Sequence, residues 1–224
     1  IQLGANPQKI RLIYFGVDTQ KFCPGDGEEK LKEESGIASS PTIISLRTLE
    51  PIYDVESLIA AASMVLKEIP EAKFLIAGKG HQETKLKEFA KSLEISGSIK
   101  FLGHIPNDEL PRYLTSADVY VSTSLSDAGL AASTAEAMAC GLPVIVTDFG
   151  DNRKWVQDGE NGYVIPLKSP EILASRIIHL ISNREVREQF GRINRQIIEE
   201  RNNWEKEMKK MEDLYEELIE RSKR

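Results

Sequence analysis

A run of small residues ahead of a helix start is where this sequence is best equipped to bind an anion. The stretch reads Ser122-Thr-Ser-Leu-Ser-Asp-Ala-Gly-Leu-Ala-Ala-Ser-Thr-Ala-Glu-Ala-Met-Ala-Cys-Gly-Leu-Pro143. An apolar strand ends at its beginning and a helical pattern follows. Free backbone N–H groups at a helix start, with the positive end of the helix dipole, attract phosphate. Gly129, Ala131 and Ala132 carry little or no side chain, so a diphosphate can approach the backbone, and Ser133 adds a hydroxyl donor. Glu136 stands about one turn further in, where its carboxylate can accept two hydrogen bonds from a ribose diol. Read from composition alone, the same stretch is first of all a capped helix whose glutamate steadies the dipole.

Other reactive side chains are sparse. The three histidines, His81, His104 and His179, are scattered, and only His104 falls at a strand end where it can touch a nucleotide. No carboxylate pair has metal-binding spacing, and Cys23 and Cys140 lack histidine partners at zinc-ligand spacing. Both cysteines read as free thiols in a reducing compartment. Cys140, between Ala139 and Gly141, occupies a place for a small residue beside a tight turn.

The chain has 224 residues, 41% of them hydrophobic, enough to bury a sizeable core. A net charge of −6 argues against a nucleic-acid binder, which usually presents a basic face. Charges of both signs crowd Glu199–Arg224, as on a solvated helix. No signal peptide is visible, and no apolar run approaches the roughly 20 residues of a membrane span. The expected location is cytoplasmic, with peripheral contact at the inner face of the membrane as an option. The sequence starts at Ile1 without an initiator methionine, so a fragment or processed product is expected.

The elements that must position these groups alternate between strand and helix. Strands are expected at Arg11–Phe15, Thr42–Leu46, Lys73–Ala77, Ile99–Leu102, Val119–Ser122 and Pro143–Thr147, with a short one at Gly162–Ile165. Most are apolar throughout, as when both faces of a sheet are covered. Helices are expected at Val55–Lys67, His81–Leu93, Asp108–Thr115 (capped by Asn107 or Asp108), Ser133–Cys140, Glu171–Ser182, Arg184–Arg195 and Asn202–Arg224. Gly25–Gly27 and Ser35–Pro41 read as surface loops. Repeated strand–helix–strand units imply an α/β fold with a doubly wound parallel sheet and C-terminal helices. Ligands in such sheets bind beyond the carboxyl ends of the strands, here the loops after Leu46, Ala77, Leu102, Ser122 and Thr147. The last helix carries an apolar stripe of Trp204, Met208, Met211, Leu214, Tyr215 and Leu218. Core packing is one reading of that stripe, and contact with another domain is a second.

Linked motifs carry a resemblance. Glu136-Ala-Met-Ala-Cys-Gly-Leu-Pro-Val144, preceded by Gly129-Leu130-Ala131, is similar to the signature of the large glycosyltransferase family that includes glycogen and sucrose-phosphate synthases. Tyr14-Phe-Gly-Val-Asp-Thr-Gln-Lys-Phe22 resembles that family's Gly-Val-Asp-x-x-x-Phe lead-in to its second domain. Ile44-Ser-Leu-Arg47, Leu75-Ile-Ala-Gly-Lys-Gly80, Phe101-Leu-Gly-His-Ile105 and Asp158-Gly-Glu-Asn-Gly162 resemble further family motifs in order. The likeness covers nearly the whole chain. It implies the Rossmann-like, nucleotide-sugar-binding half of a retaining, two-domain GT-B glycosyltransferase. On that basis residues 1–24 are an interdomain lead-in with a first strand. Residues 25–200 form the donor-binding domain, and residues 201–224 form a helix reaching toward an N-terminal domain that would bind an acceptor glycan or lipid-linked sugar.

The resemblance also implies roles. Arg47 would grip the diphosphate and offset charge on the leaving group, since a guanidinium pairs bidentately with phosphate. Glu136 would bind the ribose. Gly78, Lys79, Gly80, His104 and Ile105 would frame a uracil, guanine or adenine base. Gly129, Leu130, Ala131, Ala132 and Ser133 would hold donor sugar and phosphates, without cofactor or bound metal. Two positions depart from the family pattern. Ile52 stands where a phosphate-binding lysine is usual, with Arg153 and Lys154 as distant substitutes. Ala128 stands where the first signature glutamate is usual, with Asp127 beside it as the replacement carboxylate. These departures leave open a degenerate, non-catalytic sugar-nucleotide module. A sugar-nucleotide epimerase of the same architecture is a further alternative. The lack of Gly-x-Gly-x-x-Gly after the first strand argues against a dinucleotide-dependent oxidoreductase.

Overall fold

The structure is a computed structural model that describes residues 4, 6–25, 31, 33, 36–37, 40–127 and 129–223. Six strands form one parallel sheet: β1 (Thr42–Leu46), β2 (Lys73–Ala77), β3 (Ile99–Gly103), β4 (Val119–Ser122), β5 (Val144–Thr147) and β6 (Gly162–Ile165), in the order β3-β2-β1-β4-β5-β6. Alternation along each strand sends neighbours to opposite faces. Ile43, Phe74, Ile76, Val119, Val121 and Ile145 enter one buried cluster. Ile44, Leu75, Tyr120, Val144 and Val146 enter the other. Both faces are therefore apolar, which explains the uninterrupted hydrophobic runs.

Helices α1 (Val55–Glu68), α2 (Glu83–Ser92) and α6 (Pro170–Ser182) cover the first face. Helix α4 (Ala132–Ala139) and the segment carrying Val17 and Phe22 cover the second, with α7 (Arg184–Arg201) outside. Helices α4 and α7 approach so closely that a Cβ on Gly191 would strike the Gly141 carbonyl. Two short helices, α3 (Leu110–Thr115) and α5 (Asn152–Trp155), and the long α8 (Trp204–Ser222) are also present.

Several elements differ from the sequence expectation. Residues 11–15 form no strand. Sheet positions are filled by six other strands, and this segment runs along α8 instead, with Tyr14 N–H donating to the Glu207 carboxylate at 2.9 Å. A single bridge, Val17 to Asn203, joins it to the start of α8. Neither expected residue caps α3. The helix begins after Glu109 without a side-chain cap, and Asn107 accepts instead from the Lys21 ammonium. Helix α7 runs past Arg195 to Arg201, because Phe190, Asn194 and Ile198 continue one buried face. Helix α5 and the 3-10 turn Pro51–Tyr53 are too short to leave a periodic signature. The loops read at residues 25–27 and 35–41 lie partly outside the described residues.

Candidate functional site at the carboxyl ends of the strands

The sheet order reverses between β1 and β4, so their carboxyl ends open a crevice at the switch point. Arg47 leaves the end of β1, its N–H held by the Ala77 carbonyl at 3.1 Å. Its guanidinium lies over the Tyr53 ring, 4.4 Å from the centroid. One terminal nitrogen donates to the Ser124 hydroxyl at 3.1 Å and pairs with the Asp127 carboxylate. Both side chains are nearly enclosed, at 9% exposure for Arg47 and 15% for Asp127. Arg47 Nε is buried and has no partner among the described residues.

The loop after β4 is fastened to the turn after β1. Leu125 N–H donates to the Ile52 carbonyl, and the Thr123 hydroxyl donates to the Tyr53 carbonyl, both at 2.8 Å. Thr147, at the end of β5, donates to the Ser124 carbonyl. The Gly78-Lys-Gly80 turn packs from the other side. Gly78 has φ +135, and a Cβ there would run into the Arg47 carbonyl, while one on Gly80 would run into the Leu49 carbonyl. Glycine at both places is thus a condition for the position of Arg47. Lys79 and His104 are exposed and Ile105 is buried.

A second group lies in a cleft of about 730 Å³ lined by Lys21, Asn107, Gly129, Leu130, Ala132 and Glu136, among others. Helix α4 starts there behind Ala131, an extended N-cap with no side-chain acceptor, so its first-turn N–H groups meet no capping side chain. Glu136 is half-buried. Burial pushes its carboxyl group up, while the Lys21 ammonium and a hydrogen bond with Asn107 pull it down. The Ser133 hydroxyl, expected to face a phosphate, pairs with the buried Tyr120 hydroxyl at 2.8 Å. Arg153 and Lys154 are held in ion pairs with Asp148 and Asp151.

The structure therefore brings Arg47 to Asp127, and Glu136 to Gly129, Leu130 and Ala132, as two adjoining groups. Lys21 and Asn107 were missed as site residues because their partners are distant in sequence, and Tyr53 because it lies in a 3-10 turn too short to show which way its ring faces. The Asp158-Gly-x-Asn-Gly162 motif proves to be a fastening. Asp158 accepts from Val164 N–H at 2.9 Å, and Asn161 donates to the Trp155 carbonyl at 2.9 Å and to Asn194 of α7 at 2.7 Å. Cys23 is exposed, and Cys140 is buried with its thiol pushed up to about 12, chiefly by burial.

A doubly wound parallel sheet with an open helix N-terminus and a half-buried glutamate at its carboxyl edge defines a Rossmann-like α/β unit. The model of the family described as glycosyl transferases group 1 matches residues 27–197, and the chain belongs to that family. It is 28% identical over 175 residues to a GDP-mannose-dependent alpha-(1-6)-phosphatidylinositol monomannoside mannosyltransferase of Mycolicibacterium smegmatis, covering 75% of this chain and 46% of that protein. The crystallised C-terminal domain of a glycosyl transferase group 1 family protein (LpcC) from Francisella tularensis superposes with a TM-score of 0.76 at 25% identity, over 84% of this chain and 99% of that one. Anabaena Alr3699/HepE in complex with UDP superposes with a TM-score of 0.87 at 21% identity, over 96% of this chain and 60% of that one. The fold is that of the C-terminal domain of a GT-B glycosyltransferase. The chain spans between about half and three-fifths of the length of the first curated relatives it matches.

Proposed function

We propose that this chain is the donor-binding half of a retaining glycosyltransferase that moves a sugar from a nucleoside diphosphate to an acceptor. The observation that carries the reading is Glu136, half-buried one turn inside the uncapped start of α4 and facing the cleft. The open N–H groups of α4, together with Gly129 to Ser133, receive the diphosphate and donor sugar. Glu136 accepts from the ribose diol. Arg47 offsets charge on the departing diphosphate. The turn at Gly78, Lys79 and Gly80, with His104 and Ile105, frames the base. The step uses no metal ion and no further cofactor.

The acceptor, a glycan or lipid-linked sugar, is held by a second domain, and the protein works in the cytoplasm or against the inner face of a membrane. No helix among the described residues is long and apolar enough to cross a membrane. The relative that uses GDP-mannose and the neighbour that binds UDP support a nucleotide sugar as donor and leave the choice among UDP, GDP and ADP to experiment. Because transfer needs an acceptor site facing the donor, this chain alone is inactive.

Calorimetric titration of this chain with UDP, GDP and ADP, without added metal, tests the reading. One nucleotide binds, and Glu136→Ala weakens it by roughly thirtyfold, the equivalent of about 2 kcal/mol for a charged hydrogen-bond acceptor. A folded chain that binds none of the three is instead a degenerate module or half of a site that only the second domain completes, and titration of the two-domain protein separates these.

A further inference from the structure

We propose that Asp127 is a competitor for the donor's diphosphate: it holds Arg47 in the empty site and must release it before the nucleotide can be gripped. The inference rests on the donor-binding reading above and adds a residue that sets how tightly, and for which charge, the site binds.

The geometry leads there from three sides. The guanidinium is already satisfied electrostatically, with the Asp127 carboxylate and the Ser124 hydroxyl on the same terminal nitrogen. At 9% exposure it has little surface left for a second anion. A phosphate oxygen can therefore reach it only by taking the carboxylate's place. The diphosphate gains the difference between two ion pairs, not the whole of one. The sequence adds no second cation beside Arg47 on this turn, since residues 48–56 contain no lysine or arginine.

The parts that move and those that stay are also distinct. The backbone of Asp127 is fixed against Gly150, where a Cβ would strike the Asp127 carbonyl, and Leu125 is tied to Ile52. What can leave is the Asp127 side chain. Arg47 stays, because the Tyr53 ring supports its flat face. Its unpartnered buried Nε then gains an acceptor when a phosphate brings more than one oxygen to the fork. After transfer the leaving nucleoside diphosphate carries more negative charge than the sugar-capped donor. Releasing Arg47 costs the same for either ligand, but the displaced Asp127 carboxylate stays close on its fixed backbone and repels the more highly charged product more than the donor.

The test is titration of wild type, Asp127→Asn, Arg47→Ala and the double variant with UDP and UDP-glucose, and with GDP and GDP-mannose. Asp127→Asn is nearly isosteric and keeps a partner for Arg47, and thermal melting verifies that each variant is folded. The expected result is a tenfold or greater gain in nucleoside diphosphate affinity in Asp127→Asn and a smaller gain for the sugar-bearing form. The gain disappears when Arg47 is also replaced. Unchanged or weaker binding in Asp127→Asn, with wild type still binding in a Glu136-dependent way, overturns the competitor and leaves the donor reading intact. A gain of equal size in the Arg47→Ala background also overturns it. Failure of every folded variant to bind any of the four, or ADP and ADP-glucose, overturns both.

Discussion

Glu136 shows how one side chain's surroundings set a pH dependence. Burial raises its carboxyl group, against the pull of Lys21 and Asn107. A diol is held by the ionised carboxylate, so nucleotide affinity is expected to fall on acidification from above the pH range of an ordinary glutamate. Titrations from pH 8 down to pH 5 measure this, and the Glu136→Gln variant should show no such slope. Stability moves the other way. A carboxyl raised in the folded state contributes below its unfolded pKa, and that contribution is lost as pH rises through the folded value. At neutral pH Glu136→Gln removes a charge that burial disfavours. It is expected to melt at or above the wild-type temperature while binding nucleotide more weakly, as is common where a site opposes stability. Glu136 was legible in the sequence because its distance from a helix start is a local quantity. The Lys21–Asn107 contact spans 86 positions and was not, and Asn107 was read by its helix-capping propensity alone. The Arg47–Asp127 pair, 80 positions apart, escaped for the same reason, though each partner was singled out.

Elements hold these residues through backbone contacts that a sequence motif only hints at. Gly78 is the clearest case. Its φ of +135 and its contact with the Arg47 carbonyl leave no room for Cβ. Gly78→Ala is expected to destabilise by about 3 kcal/mol or more and lower the melting temperature by roughly 10 °C, measurable by thermal unfolding. Arg195 of α7 works at longer range. It donates to the Phe22 carbonyl at 2.7 Å and to the Ala139 and Thr19 carbonyls at 2.9 Å. It thereby binds the segment carrying Lys21 to the end of α4. Arg195→Ala leaves three acceptors unmet and should cost about 2–4 kcal/mol. It should also weaken nucleotide binding, by freeing Lys21 from beside Glu136; Arg195→Lys restores only part, since one ammonium cannot span three carbonyls as the guanidinium does. The six sheet strands were legible because most are apolar on both faces. Residues 11–15 share that composition, but composition does not say whether a neighbouring strand has free edge groups to pair with.

At the scale of the molecule, two units of unequal cohesion share one chain. The sheet and helices α1 to α7 bury two large clusters, one on each face. Helix α8 adds little to either, since Glu207 is its one buried residue and Trp204, Tyr215, Leu218 and Ile219 are each about half exposed. The apolar stripe read from the sequence thus does not serve this domain's own core. Its ties to the rest are chiefly polar: Tyr14 N–H to Glu207, the Asn203 side chain to the Thr19 hydroxyl at 2.7 Å, and the Val17 backbone to Asn202 and Trp204 at 2.7 and 2.9 Å. Few buried apolar contacts and many exposed backbone bonds mark a region that opens before the whole unfolds. Native-state hydrogen exchange should therefore find the amides of α8 opening well below the global free energy, and that of Tyr14, held by Glu207, opening together with them. The amides of β1, β4 and β5 should exchange only on global unfolding. Glu207→Ala should lower the opening free energy of α8 and of Tyr14 and leave the strands unchanged. Exchange of α8 at the same free energy as β4 would show instead that the helix is an integral part of the domain.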